Sequence, residues 1–75
     1  MNAAELESFL SRAFPQAEVA VASPDGVHFK ARIVAGDFAG ASRLARHQRV
    51  YAALGERMGG EIHALSLETL SPDEL

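Results

Sequence analysis

The chain has 75 residues, of which 48% are apolar and 23% charged, a balance typical of a folded globular domain. It contains no cysteine, which excludes disulfides, thiol chemistry and thiolate ligands, and its formal net charge of -3 does not favour nucleic acid. No apolar run approaches the roughly 20 residues of a membrane span. The length suits one domain over residues 1–75. Because the N-terminus also lacks a signal-peptide pattern, we expect this domain to lie in the cytoplasm and outside the membrane.

A short amphipathic helix is predicted at the start of the chain, between Ala3 and about Ala13. Asn2 can cap it, and Glu5 three residues later completes a capping-box pattern. Pro15 ends the helix because the residue before a proline is pushed out of the helical region. The apolar stripe has helical spacing and consists of Leu6, Phe9, Leu10 and Ala13.

A β-hairpin is predicted next. Its first strand covers residues 18–22, and Ser23-Pro24-Asp25-Gly26 suits a turn because proline presets one dihedral angle and glycine tolerates the unusual backbone angles of a turn. The second strand is predicted over residues 27–34. It alternates an expected buried face with a basic one, Phe29, Ala31 and Ile33 against His28, Lys30 and Arg32.

The second half of the chain predicts a long helix and one further strand. After a loop at 36–40, the helix begins near Ser42 and is stopped by Gly59-Gly60. The strand covers residues 62–68, and residues 71–74 look like a cap and a first helical turn. The helix face predicted to be buried consists of Leu44, His47, Tyr51, Leu54 and Met58, with Val50 towards its edge.

This order of elements, α-β-β-α-β, predicts an α+β fold with a mixed three-stranded sheet and the helices packed on one face. The hairpin strands are antiparallel, whereas a strand-helix-strand connection implies a right-handed crossover and a parallel pair. Parallel pairing brings the starting ends of the second and third strands together. Those ends carry His28 and His63, so the two histidines are expected to be neighbours.

Three histidines are the candidate chemical groups. His63 interrupts an apolar run, Ile62 to Leu67, and on its own is better explained as a core histidine that donates to a backbone carbonyl than as a metal ligand. His28 on its own is a solvated residue. Alternation places the two on opposite faces, so their rings converge only if the loop before Phe29 departs from strand geometry. As a pair they suit a metal site whose other ligands come from elsewhere. His47 is interpreted as a packed histidine, bonded within the fold.

Four of the seven basic residues fall in the second-helix segment: Arg43, Arg46, Arg49 and Arg57. A solvated helix face is the usual explanation of charges at this spacing. A phosphate-binding surface is the alternative, since a helix N-terminus with arginines attracts anions. Catalytic arrangements are absent: no nucleophile elbow, no carboxylate pair on a common cleft and no phosphate-binding glycine loop are found. The sequence therefore predicts a protein that is not an enzyme.

Five motifs occur in a specific order along the chain. They are His28-Phe29 at the start of a strand, Phe38-Ala39-Gly40-Ala41-Ser42-Arg43, Arg46-His47-Gln48-Arg49-Val50-Tyr51, Ile62-His63-Ala64-Leu65-Ser66-Leu67, and Thr69-Leu70-Ser71-Pro72-Asp73-Glu74. In this combination the chain resembles the BolA-like family, as a short bacterial-type member, over nearly its whole length from Phe9 to Glu74.

The resemblance implies a fold similar to a class II K-homology domain and a role without enzymatic activity. It implies a heterodimer with a monothiol glutaredoxin that holds a bridging [2Fe-2S] cluster in iron-sulfur assembly, trafficking or iron sensing. The glutaredoxin and a bound glutathione would supply thiolates, and this chain the metal ligands His63 and His28. The isolated chain would carry no cluster.

A second function remains open at this point. The BolA-like family includes members linked to stress responses through transcription, and a nucleic-acid-binding regulator would use Arg43, Arg46, Arg49 and Arg57. Any such binding is expected to be weak, because the chain is acidic overall.

Overall fold

The elements occur in the predicted order in a computed structural model that describes all 75 residues. The regular elements are helix α1 (Ala3–Ala13), strands β1 (Glu18–Ala22) and β2 (His28–Val34), helix α2 (Arg43–Leu54) and strand β3 (Ala64–Leu70). Short 3-10 turns cover Gly36–Phe38, Gly55–Arg57 and Pro72–Glu74. None of the helices is long and apolar enough to cross a membrane.

Helix α1 begins as its sequence predicts. The Asn2 side chain accepts a hydrogen bond from the backbone N–H of Glu5 at 2.8 Å, and the Glu5 carboxylate accepts one from the backbone N–H of Asn2 at 3.0 Å. This capping box satisfies two N–H groups that the first turn leaves without helical partners. Leu6 and Leu10 are fully buried one turn apart, so the apolar stripe anchors the helix on the sheet.

The sheet is mixed and has the order β1-β2-β3. β1 pairs antiparallel with β2, and β2 pairs parallel with β3, as predicted. The parallel register places His28 opposite Ala64 and Val34 opposite Leu70. His28, the first residue of β2, therefore lies beside Ala64, the first residue of β3. His63 directly precedes Ala64 in the chain, so the two histidines are close together.

Both helices cover the same face of the sheet. The core joins α1 and α2 to alternate residues of β2, and consists of Leu6, Leu10, Phe29, Ala31, Ile33, Ala35, Phe38, Val50, Leu54 and Ile62. The opposite face is exposed and polar, with an ion pair at 3.0 Å between Arg32 of β2 and Glu68 of β3. His28 is exposed with the alternate β2 residues Lys30 and Arg32.

Helix α2 buries a different face from the one its pattern predicts. Arg46, Val50 and Leu54 are buried, whereas Leu44 is 68% exposed and Tyr51 39% exposed. The prediction that the helix buries Leu44 and Tyr51 is therefore wrong, and the prediction for Leu54 is confirmed.

The cause is a long-range interaction of Arg46. Its guanidinium donates to both Glu74 carboxylate oxygens, at 2.6 and 3.1 Å, and to the Thr69 carbonyl at 3.0 Å. Pairing of its two terminal nitrogens offsets the cost of burying the charge, although its Nε atom is buried without a hydrogen-bond partner. The same contacts lower the pKa of Glu74 to about 2, first through Arg46 and then through the backbone N–H of Ser71. The predicted turn at 71–74 is confirmed, with Ser71 and Glu74 forming a capping box.

Four boundaries differ from the predictions. Two are minor, since β2 starts at His28 rather than at residue 27, and β3 ends at Leu70 rather than at residue 68. Helix α2 ends at Leu54 rather than near Gly59, because Gly55 adopts a positive φ of 56° that breaks the helical path. Strand β3 starts at Ala64 rather than at Ile62, so His63 lies in a bend just before the strand. Ile62 is still fully buried in the core, as an apolar residue in this run should be.

Candidate functional site

The turn before β2 holds His28 through one carboxylate. One oxygen of Asp25, Oδ1, accepts hydrogen bonds from the backbone N–H groups of Val27 at 2.9 Å and His28 at 2.8 Å. The other, Oδ2, lies 2.7 Å from Nδ1 of the His28 imidazole. These contacts hold the pKa of Asp25 well below its usual value, and the largest contributions come from the backbone N–H of His28 and then from its imidazole. Asp25 is therefore a carboxylate across the ordinary pH range.

The carboxylate determines which imidazole nitrogen is available. An ionised carboxylate can only accept hydrogen bonds, so Nδ1 of His28 must carry a hydrogen. In the neutral ring the lone pair is then on Nε2. The His28 side chain is 70% exposed. The ring therefore has a defined tautomer through its contact with Asp25, while its side chain stays open to solvent.

The turn itself is tightly bonded. The Ser23 hydroxyl accepts from the N–H of Gly26 at 2.9 Å and donates to the His28 carbonyl at 2.6 Å. Gly26 has a φ of 76°, in the left-handed region that glycine adopts without strain. Ser23, Asp25 and Gly26 thus fix the backbone on both sides of the histidine.

His63 is exposed, which rules out the interpretation as a core histidine. It comes directly after the buried Ile62, whose N–H donates to the Arg57 carbonyl at 2.9 Å and whose carbonyl accepts from Gly59 at 2.7 Å. Because His63 lies in a bend and not in β3, strand alternation does not assign it to the apolar face. The sequence pattern predicts the two histidines on opposite faces of the sheet because it assigns His63 to the strand. That assignment is wrong, so alternation does not keep the two rings apart.

The two histidines come together where β2 and β3 start. Since His28 pairs with Ala64, the residue after His63, the two histidine Cα atoms lie within about 9 Å of each other. No group of three or more histidine, cysteine, aspartate or glutamate side chains is placed to hold a metal ion. His28 and His63 offer imidazole nitrogens, which are ligands of some [2Fe-2S] centres, and the chain has no cysteine to add a thiolate.

His47 is half-buried on α2, which agrees with its interpretation as a packed residue. Its Nε2 atom is buried without a hydrogen-bond partner, so the predicted bond within the fold is absent at that atom.

The four arginines do not all lie on a solvated helix face, so that explanation is wrong for Arg46. Arg46 is buried against Glu74. Arg49 donates to the Asp37 carbonyl at 3.0 Å, and the Arg57 guanidinium lies 4.3 Å from the centre of the Phe9 ring. Only Arg43, at the start of α2, has none of these contacts.

Sequence reasoning missed Asp25 as part of the site. The signal was available, since an aspartate in a turn commonly accepts from backbone N–H groups two or three residues later, and here the third residue is a histidine.

Comparisons of the sequence and of the structure with known proteins point to the same family. Residues 10–74 match the model of the BolA-like protein family. A protein of the rpoN-murA intergenic region of Acinetobacter guillouiae is 40% identical over 99% of this chain and 89% of its own length. The DNA-binding transcriptional regulator BolA of Haemophilus influenzae is 45% identical over 63% of this chain, which spans 46% of that relative. A solved structure, a bolA protein homologue from Coxiella burnetii, has a TM-score of 0.86 and 38% identity, covering 99% of this chain and 95% of that one. The chain belongs to the BolA-like family.

Proposed function

We propose that this protein is a non-enzymatic adaptor that pairs with a monothiol glutaredoxin in the cytoplasm to hold a bridging [2Fe-2S] cluster. Its role would lie in iron-sulfur cluster assembly, trafficking or iron sensing. Membership of the BolA-like family supports this proposal, as does the arrangement of its histidines.

One observation carries the proposal. His28 and His63 are both exposed and lie at the adjoining starts of two paired strands. At His28, Nδ1 contacts Asp25, Nε2 is left free of that contact, and the side chain is 70% exposed. His28 and His63 would hold the cluster from the side of this chain, and the bound cluster would supply electron-transfer or cluster-donation chemistry.

The chain cannot complete such a site alone. Iron-sulfur clusters are held chiefly by thiolates, and this sequence has no cysteine. A partner that brings thiolates is therefore part of the proposal, with the glutaredoxin and its glutathione in that role.

Three histidine variants test the ligand assignment in the glutaredoxin complex. His63→Ala is expected to abolish the heterodimer-specific cluster spectrum, while His28→Ala leaves a more labile cluster with an altered spectrum. His47→Ala is the matched control, because it removes a half-buried imidazole outside the site and should affect stability only. Visible circular dichroism and iron retention are measured side by side. A native spectrum in His63→Ala together with a lost one in folded His47→Ala would overturn the assignment.

A nucleic-acid-binding regulator is the second candidate, because the Haemophilus influenzae relative carries the name DNA-binding transcriptional regulator. Fewer of this chain's arginines are free than the sequence suggests. Arg46 is buried, and Arg49 and Arg57 already contact Asp37 and Phe9. Such a site would depend mainly on Arg43 at the start of α2.

A further inference from the structure

We propose that Asp25 is a positioning residue that presents Nε2 of His28 to the metal. This inference rests on the proposed function and adds to it a residue that does not itself touch the metal.

The two oxygens of the Asp25 carboxylate have separate tasks. Oδ1 holds the turn through the N–H groups of Val27 and His28, and Oδ2 holds the imidazole. The backbone contacts therefore fix the aspartate independently of its contact with the ring. A ring bonded to a fixed oxygen loses the freedom to rotate about its side-chain torsions, and its tautomer is determined.

Folding stability does not explain the pair. Both side chains are open to solvent, with 70% of His28 and 47% of Asp25 exposed. Exposed ion pairs contribute little to folding. Metal-binding histidines, by contrast, almost always donate their second nitrogen to a carboxylate or carbonyl, which fixes the ring and raises its basicity. The contact between Asp25 and His28 has that geometry.

The test is Asp25→Asn, which separates the two functions of the carboxylate. The amide oxygen can still accept from both backbone N–H groups, so the turn is retained. The amide NH2 then faces Nδ1 and can only donate, which moves the ring hydrogen to Nε2 and blocks that atom as a ligand.

The first readout needs no cluster. Long-range proton–nitrogen NMR of the isolated chain at about pH 9, above the range in which imidazole usually titrates, reports the tautomer of His28. We expect Nδ1–H in the wild type and Nε2–H in Asp25→Asn, with unchanged far-ultraviolet circular dichroism. An Nε2–H tautomer in the wild type, or no change in the variant, would overturn the inference.

The second readout is iron retention in the glutaredoxin complex. Loss of a carboxylate partner of a metal-binding histidine typically lowers metal affinity about 10- to 100-fold. We expect a faster loss of iron in Asp25→Asn, and no additional effect of Asp25→Asn when His28 is already alanine. Equal effects in both backgrounds would mean that Asp25 acts through the fold alone and would overturn the inference.

The two readouts keep this inference separate from the proposed function. If the wild type forms no cluster with the glutaredoxin, the proposed function fails, whereas the NMR result still decides whether Asp25 sets the tautomer. If the cluster forms and the tautomer is not set by Asp25, only the positioning inference fails.

Discussion

The orientation of helix α2 gives the most direct prediction about the fold. Leu44 and Leu54 lie on the face that the sequence pattern predicts to be buried, but Leu54 is fully buried and Leu44 is 68% exposed. Replacing each with alanine removes the same atoms from two different environments. The pair of variants therefore compares the observed orientation with the predicted one.

The expected magnitudes depend on burial. Leu54→Ala removes a fully buried side chain from the core and should lower the free energy of unfolding by about 2 to 5 kcal/mol. For a domain of this size that corresponds to a fall in Tm on the order of 10 °C or more. Leu44→Ala should change the free energy of unfolding by less than about 0.5 kcal/mol, since it removes a mainly solvated group.

Urea unfolding monitored by far-ultraviolet circular dichroism measures both values. Leu54→Met is the control because it nearly conserves volume and should cost less than about 1.5 kcal/mol, so it stays folded even if Leu54→Ala does not. A Leu44→Ala variant as unstable as Leu54→Ala would refute the observed orientation of α2.

Three further outcomes are expected. Because Arg46 lowers the pKa of Glu74 from 4.5 to about 2, stabilisation by this pair is complete above pH 4.5 and is lost as the pH falls through 2. Glu74→Gln should therefore be less stable than the wild type at neutral pH, with a difference that shrinks in acid; a constant difference in urea unfolding would contradict this. His47→Leu should unfold at an equal or higher urea concentration, because its buried Nε2 has no partner, and a lower midpoint would count against that placement. Labelled duplex DNA should bind at most weakly, losing affinity between low and physiological salt, and Arg43→Gln should weaken it more than Arg49→Gln does; tight binding to one sequence at physiological salt would favour the regulator.

Local patterns predict much of the fold correctly. The capping box at Asn2 and Glu5, and the hairpin around the turn that contains Asp25, depend on residues close together in the chain. The helical connection between β2 and β3 then indicates a parallel pair, and with it the neighbouring ends that carry His28 and His63.

The features that the sequence does not predict depend on distant residues. The buried face of α2 includes Arg46, whose partner Glu74 lies 28 residues away. A helical pattern does not show that the charge of an arginine will be paired with so distant a carboxylate. Likewise, alternation within a strand cannot show that the chain bends at His63 before β3 begins. The likeness to a class II K-homology domain stays a prediction.

The central claim is that this chain supplies imidazole ligands but no thiolate to a shared cluster. It is tested by anaerobic reconstitution with iron and sulfide, with and without a glutathione-loaded monothiol glutaredoxin, and by iron and acid-labile sulfide analysis of the purified species. We expect a heterodimer with two irons and two sulfides whose visible spectrum differs from that of the glutaredoxin alone, and a colourless chain when the glutaredoxin is omitted. A stable, stoichiometric cluster on the isolated chain, or no heterodimer-specific spectrum when both proteins are present, would contradict the account.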